Sequence, residues 1–170
     1  MTKTEEFKMN KIVVFYDRNY FSEVSKFYRY HHERKARISF KGLHNFIKTE
    51  AGRLQKENQQ SYQLIEKHYF RGRFSTEYSI RRNCLEKDRH FDDVLIREGI
   101  VPHYLPMDES RSIPHERGVD VLLAVEAMDL AWQRPFDTLA LIACDGDYVP
   151  LVRKLRTWNS GRSSRLGFQV

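Results

Sequence analysis

A continuous apolar run, Leu139–Cys144, ends abruptly at Asp145-Gly146-Asp147. A second apolar pattern follows at once: Val149, Leu151, Val152 and Leu155, at helical spacing. An unbroken aliphatic run flanked by turn signals fits a strand buried on both faces. Gly146 is expected to supply a tight turn with positive φ, and Pro150 is tolerated in a first helical turn. Two carboxylates therefore stand where a buried strand ends and a helix begins, the place where open α/β sheets bind their ligands. Like charges at close range resist joint ionisation, and a divalent cation would relieve that cost. Asp-Gly is equally a common turn pair, and Asp147 can cap the next helix. From this stretch alone both readings stand.

The first strand repeats the pattern. Lys11–Tyr16 is apolar and β-branched and runs into Asp17-Arg18-Asn19, so another acid directly follows a buried strand. Asn19 is placed to cap the segment Tyr20–Phe27 or to orient Asp17 by a hydrogen bond. Tyr28–Lys41 is dense in His, Arg and Lys. His31, His32 and Glu33 are adjacent residues without a second ligand pair at metal spacing, so the stretch reads as a solvated basic segment. Phe40–Leu54 is a helix, and Tyr62–Phe70 a second strand of mixed pattern. Arg71-Gly72-Arg73 reads as a basic loop, either a phosphate contact or plain solvated surface. Ser75–Glu98 is one long or broken helix stopped at Gly99, and Ile100–Leu105 a third strand interrupted at Pro102. Val119–Trp132 is the clearest helix, with Asp120 in its first turn, where the helix dipole favours an acid. Arg165–Val170 is a short fifth strand. Strands alternating with helices predict an α/β fold, a parallel sheet with helices on both faces.

The balance of the 170 residues fits a soluble globular chain: 41% hydrophobic, 31% charged, net charge +6. No apolar stretch reaches the length of a membrane span. The first residues lack an apolar signal core, and Cys84 and Cys144 show no CxxC spacing. A reduced cytoplasmic setting is expected, with Cys144 as a small core hydrophobe. A basic surface suits a polyanion. Asp17, Asp120, Asp145 and Asp147 fall on one sheet edge if their strands are neighbours, and oxygen donors of this kind suit hard cations such as Mg²⁺ or Mn²⁺.

The segment R-G-V-D-V-L-L-A-V-E-A-M-D-L-A (Arg117–Ala131), followed by L-I-A-C-D-G-D-Y-V-P-L-V-R-K-L-R (Leu141–Arg156), resembles the NYN domain in its LabA-like branch, a subgroup of the PIN-like nucleases. Val13–Tyr20, V-V-F-Y-D-R-N-Y, is similar to that family's first strand. An apolar strand followed by D-x-D also opens the haloacid-dehalogenase phosphatases, but there it is the first strand, with most of the domain after it. The resemblance implies a single PIN-like domain over residues 1–170, a three-layer α/β/α sandwich around a mainly parallel sheet. It also implies metal-dependent cleavage of RNA phosphodiesters, with Asp17, Asp120, Asp145 and Asp147 as the Mg²⁺ or Mn²⁺ ligands and Asn19 as companion of Asp17. Arg18 stands where the family usually has Gly, and Ala143-Cys144 where Ser-Gly is common.

On this reading Arg18, Arg117, Arg153 and Lys154 hold phosphates. Tyr20 and Tyr148 stack on bases or pack against the sheet edge. The expected substrate is RNA, single-stranded rather than duplex, with self-association left open. The competing function is a non-catalytic PIN-like module that binds RNA or a protein partner.

Overall fold

The two unbroken apolar runs become neighbouring strands in the middle of one sheet. The computed structural model describes residues 9–56, 58–133, 136–160 and 167–169. Its five strands are β1 (Asn10–Asp17), β2 (Tyr62–Arg73), β3 (Val101–Pro106), β4 (Thr138–Ile142) and β5 (Gly167–Gln169). They lie in the order β3-β2-β1-β4-β5, every pair parallel. Side chains alternate between the faces of a strand, and β1 buries both sets. Ile12, Val14 and Tyr16 meet one helical layer, while Val13 and Phe15 meet the other. A strand covered on both sides reads as one apolar run, which is why β1 and β4 carry that signal.

The helices are α1 (Arg18–Tyr30), α2 (Phe40–Gln55), α3 (Thr76–Arg81), α4 (Leu85–Arg97), α5 (Val119–Gln133) and α6 (Val149–Ser160). Phe21 of α1, Phe40, Ile47 and Ala51 of α2 and Leu95 of α4 pack on the Ile12 face. Val119, Leu123 and Ala127 of α5 and Leu151 and Leu155 of α6 pack on the Val13 face. The result is an α/β/α sandwich. No described helix is long and apolar enough to cross a membrane.

Three local readings are corrected. The mixed pattern of β2 comes from a register shift that leaves Ile65 as an extra residue between Leu64 and Glu66. The side-chain alternation changes phase there, and β2 runs on to Arg73. Arg71 and Arg73 are therefore strand residues, not a loop. Arg71 is buried and its Nη2 donates to Asp88 at 2.7 Å, while Arg73 Nη2 donates to Asp92 at 2.8 Å. Both arginines fasten α4 to the sheet instead of reaching for phosphate. Of the two readings of Ser75–Glu98 the broken helix holds, as α3 and α4, parted where Asn83 takes φ 51°. The run Leu139–Cys144 leaves the sheet at Ile142, so Cys144 is exposed rather than core. Val149 is 45% exposed, and α6 is anchored by Leu151 and Leu155. Residues 161–166 and 170, within or beside the expected last strand, lie outside the described residues.

Candidate functional site

The chain builds β1, then β2 and β3 on one side of it, and returns to place β4 on the other side. The carboxyl ends of β1 and β4 thus flank the point where the strand order reverses, where open sheets form their crevice. Tyr16 is in register with Ile142. Asp17 ends β1, and Asp145 follows β4 by three residues.

Asp17 is both the last residue of β1 and the N-cap of α1. Its Oδ1 accepts the backbone N–H of Asn19 at 2.9 Å, meeting a helix-end donor that has no partner inside the helix. Its Oδ2 accepts the hydroxyl of Tyr148 at 3.1 Å. The carboxylate is 9% exposed, and both of these donors are neutral. Of the two expectations for Asn19, the hydrogen bond to Asp17 is present and comes from its backbone N–H, while its side-chain Oδ1 accepts from Arg18 Nη1 at 3.1 Å.

Asp145 repeats the device one strand over. It caps the 3₁₀ turn Gly146–Tyr148, its Oδ1 accepting Asp147 N–H at 3.0 Å. Asp145, not Asp147, is thus the capping residue at the entry to α6. Gly146 does not have the expected positive φ, and a Cβ there would meet nothing within 4 Å. The turn delivers Tyr148 inward, 4% exposed. Tyr148 is therefore no base-stacking platform. Its hydroxyl is held protonated well above the usual tyrosine range, first by burial, then by Asp17 and by the charges of Asp120 and Asp145. Three of the four aspartates act on one buried hydroxyl. Asp120, exposed at the start of α5, also shares a shallow groove with Asp147. The groove lies between α5 and α6 and is walled by Val121, Val125, Met128 and Trp132.

A fifth acid escaped the sequence reading. Glu116 lies in the loop before α5, its side chain 9% exposed. Its Oε1 accepts Gly72 N–H at the end of β2, 2.7 Å away. Its Oε2 is buried and has no hydrogen-bond partner among the described residues. A Cβ on Gly72 would stand 2.6 Å from Glu116 Cγ and 2.3 Å from Met107 Sδ, so the glycine makes room for the acid. Arg18 Nη1 lies 3.8 Å from Glu116 Oε1, which ties the arginine to Asn19 on one side and Glu116 on the other. Burial holds the Tyr69 hydroxyl protonated above its usual range. The charges acting on it include Arg18, Glu116 and Asp17, so these three belong to one neighbourhood. A single Glu in a loop has no periodicity to announce it. The one signal was its place just before the R-G-V-D segment.

Residues 11–163 match the model of the NYN domain. The chain belongs to the NYN domain family. NYN domains are members of the PIN-like nuclease superfamily, and the parallel sheet between two helical layers is the fold expected of one. Neither a curated protein nor a solved structure gives a significant match.

In this NYN domain the basic residues divide. Arg18 is partly exposed beside Asp17. Arg117 is exposed and pairs with Asp108, Nε to Oδ2 3.3 Å. Arg153 and Lys154 are exposed on α6, and Tyr20 is half-buried on α1. Among the described residues no three His, Cys, Asp or Glu side chains stand closely enough to hold one ion as they are placed. The chemistry of the donors nevertheless suits a hard cation. Asp17 is nearly buried against neutral donors, Glu116 keeps one buried oxygen without a hydrogen-bond partner among the described residues, and the charges of Asp120 and Asp145 act on the Tyr148 hydroxyl that Asp17 holds. A carboxylate buried among neutral donors is costly, and its oxygens suit a hard dication; at Glu116 the Arg18 guanidinium, 3.8 Å away, already supplies counter-charge.

Proposed function

We propose that this NYN domain, with the motifs of the LabA-like branch, is a metal-dependent ribonuclease. It would hydrolyse phosphodiester bonds in single-stranded RNA with Mg²⁺ or Mn²⁺. Asp17, Asp120, Asp145 and Asp147 would hold the ion. Asp17 is already fixed by Asn19 N–H and Tyr148, whereas the three exposed aspartates can turn toward it. The ion supplies charge that activates water and offsets the scissile phosphate. Tyr148 keeps its proton and so orients Asp17 without adding charge. Arg18, Arg153 and Lys154 attract phosphates to the same edge. Two cysteines without a disulfide fit a reducing cytoplasm.

The observation that carries this reading is the buried Asp17 facing neutral donors, with Asp120 and Asp145 acting on the same Tyr148 hydroxyl. A second reading, a non-catalytic RNA-binding module, is favoured by Arg18. Its guanidinium already sits beside Glu116 and supplies part of the missing positive charge. Incubation of end-labelled single-stranded RNA with Mn²⁺ separates the two. Cleavage that EDTA abolishes supports the nuclease. Retention of intact RNA at every Mn²⁺ concentration supports the binding module.

A further inference from the structure

The end of α1 carries an aromatic cluster that neither core uses. Phe21 of this helix is buried, but Phe27, Tyr28 and Tyr30 are 52%, 40% and 58% exposed. The rings pack on one another instead of on the sheet. Phe27 meets Tyr28 edge-on at 5.7 Å and stacks with His31 at 6.2 Å, and Tyr28 lies 4.8 Å from His32. The Arg29 guanidinium sits 5.0 Å over the ring of Tyr30. From Lys26 to Arg37 the chain has five Lys or Arg residues against one Glu. Of the five, Lys26 is taken up by Glu23 at 2.6 Å. A solvated basic segment accounts for the cations but not for three large rings left in water within four residues.

We infer that this patch is a holding site for single-stranded nucleic acid, separate from the carboxylate crevice. Exposed rings interleaved with cations match a polymer that alternates flat bases with phosphates. A duplex hides its base faces, so a single strand is the occupant. The patch depends on the proposed function for the kind of polymer, RNA, and not for the binding itself. Asp17 opens α1 and Tyr30 closes it. At about 1.5 Å per residue the patch lies roughly 20 Å from the crevice. That is roughly six stacked nucleotides at about 3.4 Å each, so one strand can occupy both places.

The test is fluorescence anisotropy of the whole protein with a labelled single-stranded oligouridylate of about twelve nucleotides, in EDTA so that nothing is cut. The F27A/Y28A/Y30A variant should bind at least about fivefold more weakly with an unchanged salt slope, because stacking is lost and phosphate contacts are kept. R34A/K35A/R37A should instead flatten the dependence of log affinity on log salt. The single variant Y30A, at an open position, should show a smaller loss of the first kind and guards against a folding artefact. Affinity within twofold of the parent for the aromatic variants would overturn the inference. So would equally tight binding of a duplex of the same length, or a change confined to sedimentation, which would make the rings a self-association surface. Absence of cleavage with this pattern intact would remove the nuclease and leave the patch. EDTA-sensitive cleavage with no effect of the ring variants would do the reverse.

Discussion

Tyr148 is the residue on which the aspartates act together, and it allows a sharp substitution. Tyr148→Phe keeps the ring in the core and deletes the hydrogen bond to Asp17 Oδ2. A buried carboxylate oxygen losing its donor costs about 1–3 kcal/mol, so the metal-free melting temperature should fall. The rise on adding Mn²⁺ should be larger than in the parent, because the ion replaces the lost donor. An equal fall with no metal response would make Asp17 a cap and nothing more. His44 gives a pH prediction. It is buried, its Nε2 has no partner among the described residues, and its pKa is lowered to about 4 by burial and then by Lys67 and Lys48. The unfolded chain, with a histidine pKa near 6.5, takes up a proton that the folded chain refuses. Stability should therefore be unaffected by His44 above about pH 6.5 and fall as the pH drops toward about 4. At about 1.4 kcal/mol per unit the loss is at most about 3.5 kcal/mol. Denaturant titrations of His44→Phe across this window should show a flatter acid limb. Parallel limbs would place the acid sensitivity elsewhere.

Among the elements, the two glycines near the crevice carry opposite expectations. Gly146, which the sequence marks as the turn residue, has open space where a Cβ would go and no positive φ. Gly146→Ala should change stability by less than about 0.5 kcal/mol. Gly72, in a segment that reads as a plain basic loop, is the constrained one. A Cβ there pushes out Glu116 and Met107 and strains the Gly72 N–H bond to Glu116, so Gly72→Ala should cost about 1–3 kcal/mol. Chemical denaturation of both variants decides it, and the reverse order would contradict the packing at the end of β2. The elements that read correctly share one cause. β1, β4 and α5 are buried by their immediate neighbours, so their patterns are continuous and local. β2 was blurred by the extra residue at Ile65, which reverses its alternation midway. Glu116 was invisible because its partner is 44 residues away in sequence. Between a stacking ring and one packed against the sheet, sequence does not decide for Tyr148, because a D-G-D-Y turn does not reveal that its last residue points into the core; the structure has it packed.

At the scale of the whole molecule, strand order brings acids distant in sequence to the carboxyl ends of neighbouring strands. Asp17 and Asp145 are more than a hundred residues apart, yet β1 and β4 are paired neighbours at the reversal of the sheet. Both aspartates act as caps through one oxygen, and Asn is as good a cap as Asp. At Asp145 Asp→Asn therefore keeps the cap and removes the charge alone, whereas at Asp17 it keeps the cap but puts an amide N–H₂ where Oδ2 accepted from Tyr148, so the tyrosine hydroxyl must turn to accept. At Asp145 that separates the structural role from the metal role. Calorimetric titration of Mn²⁺ into the parent protein and into Asp17→Asn and Asp145→Asn asks the question most directly. A metal site built on both aspartates predicts saturable binding in the parent that weakens at least about tenfold in each variant, with the melting temperature of Asp145→Asn in EDTA unchanged or higher because repulsion between the acids is reduced. Equal Mn²⁺ binding by all three proteins, or none by the parent, would contradict it.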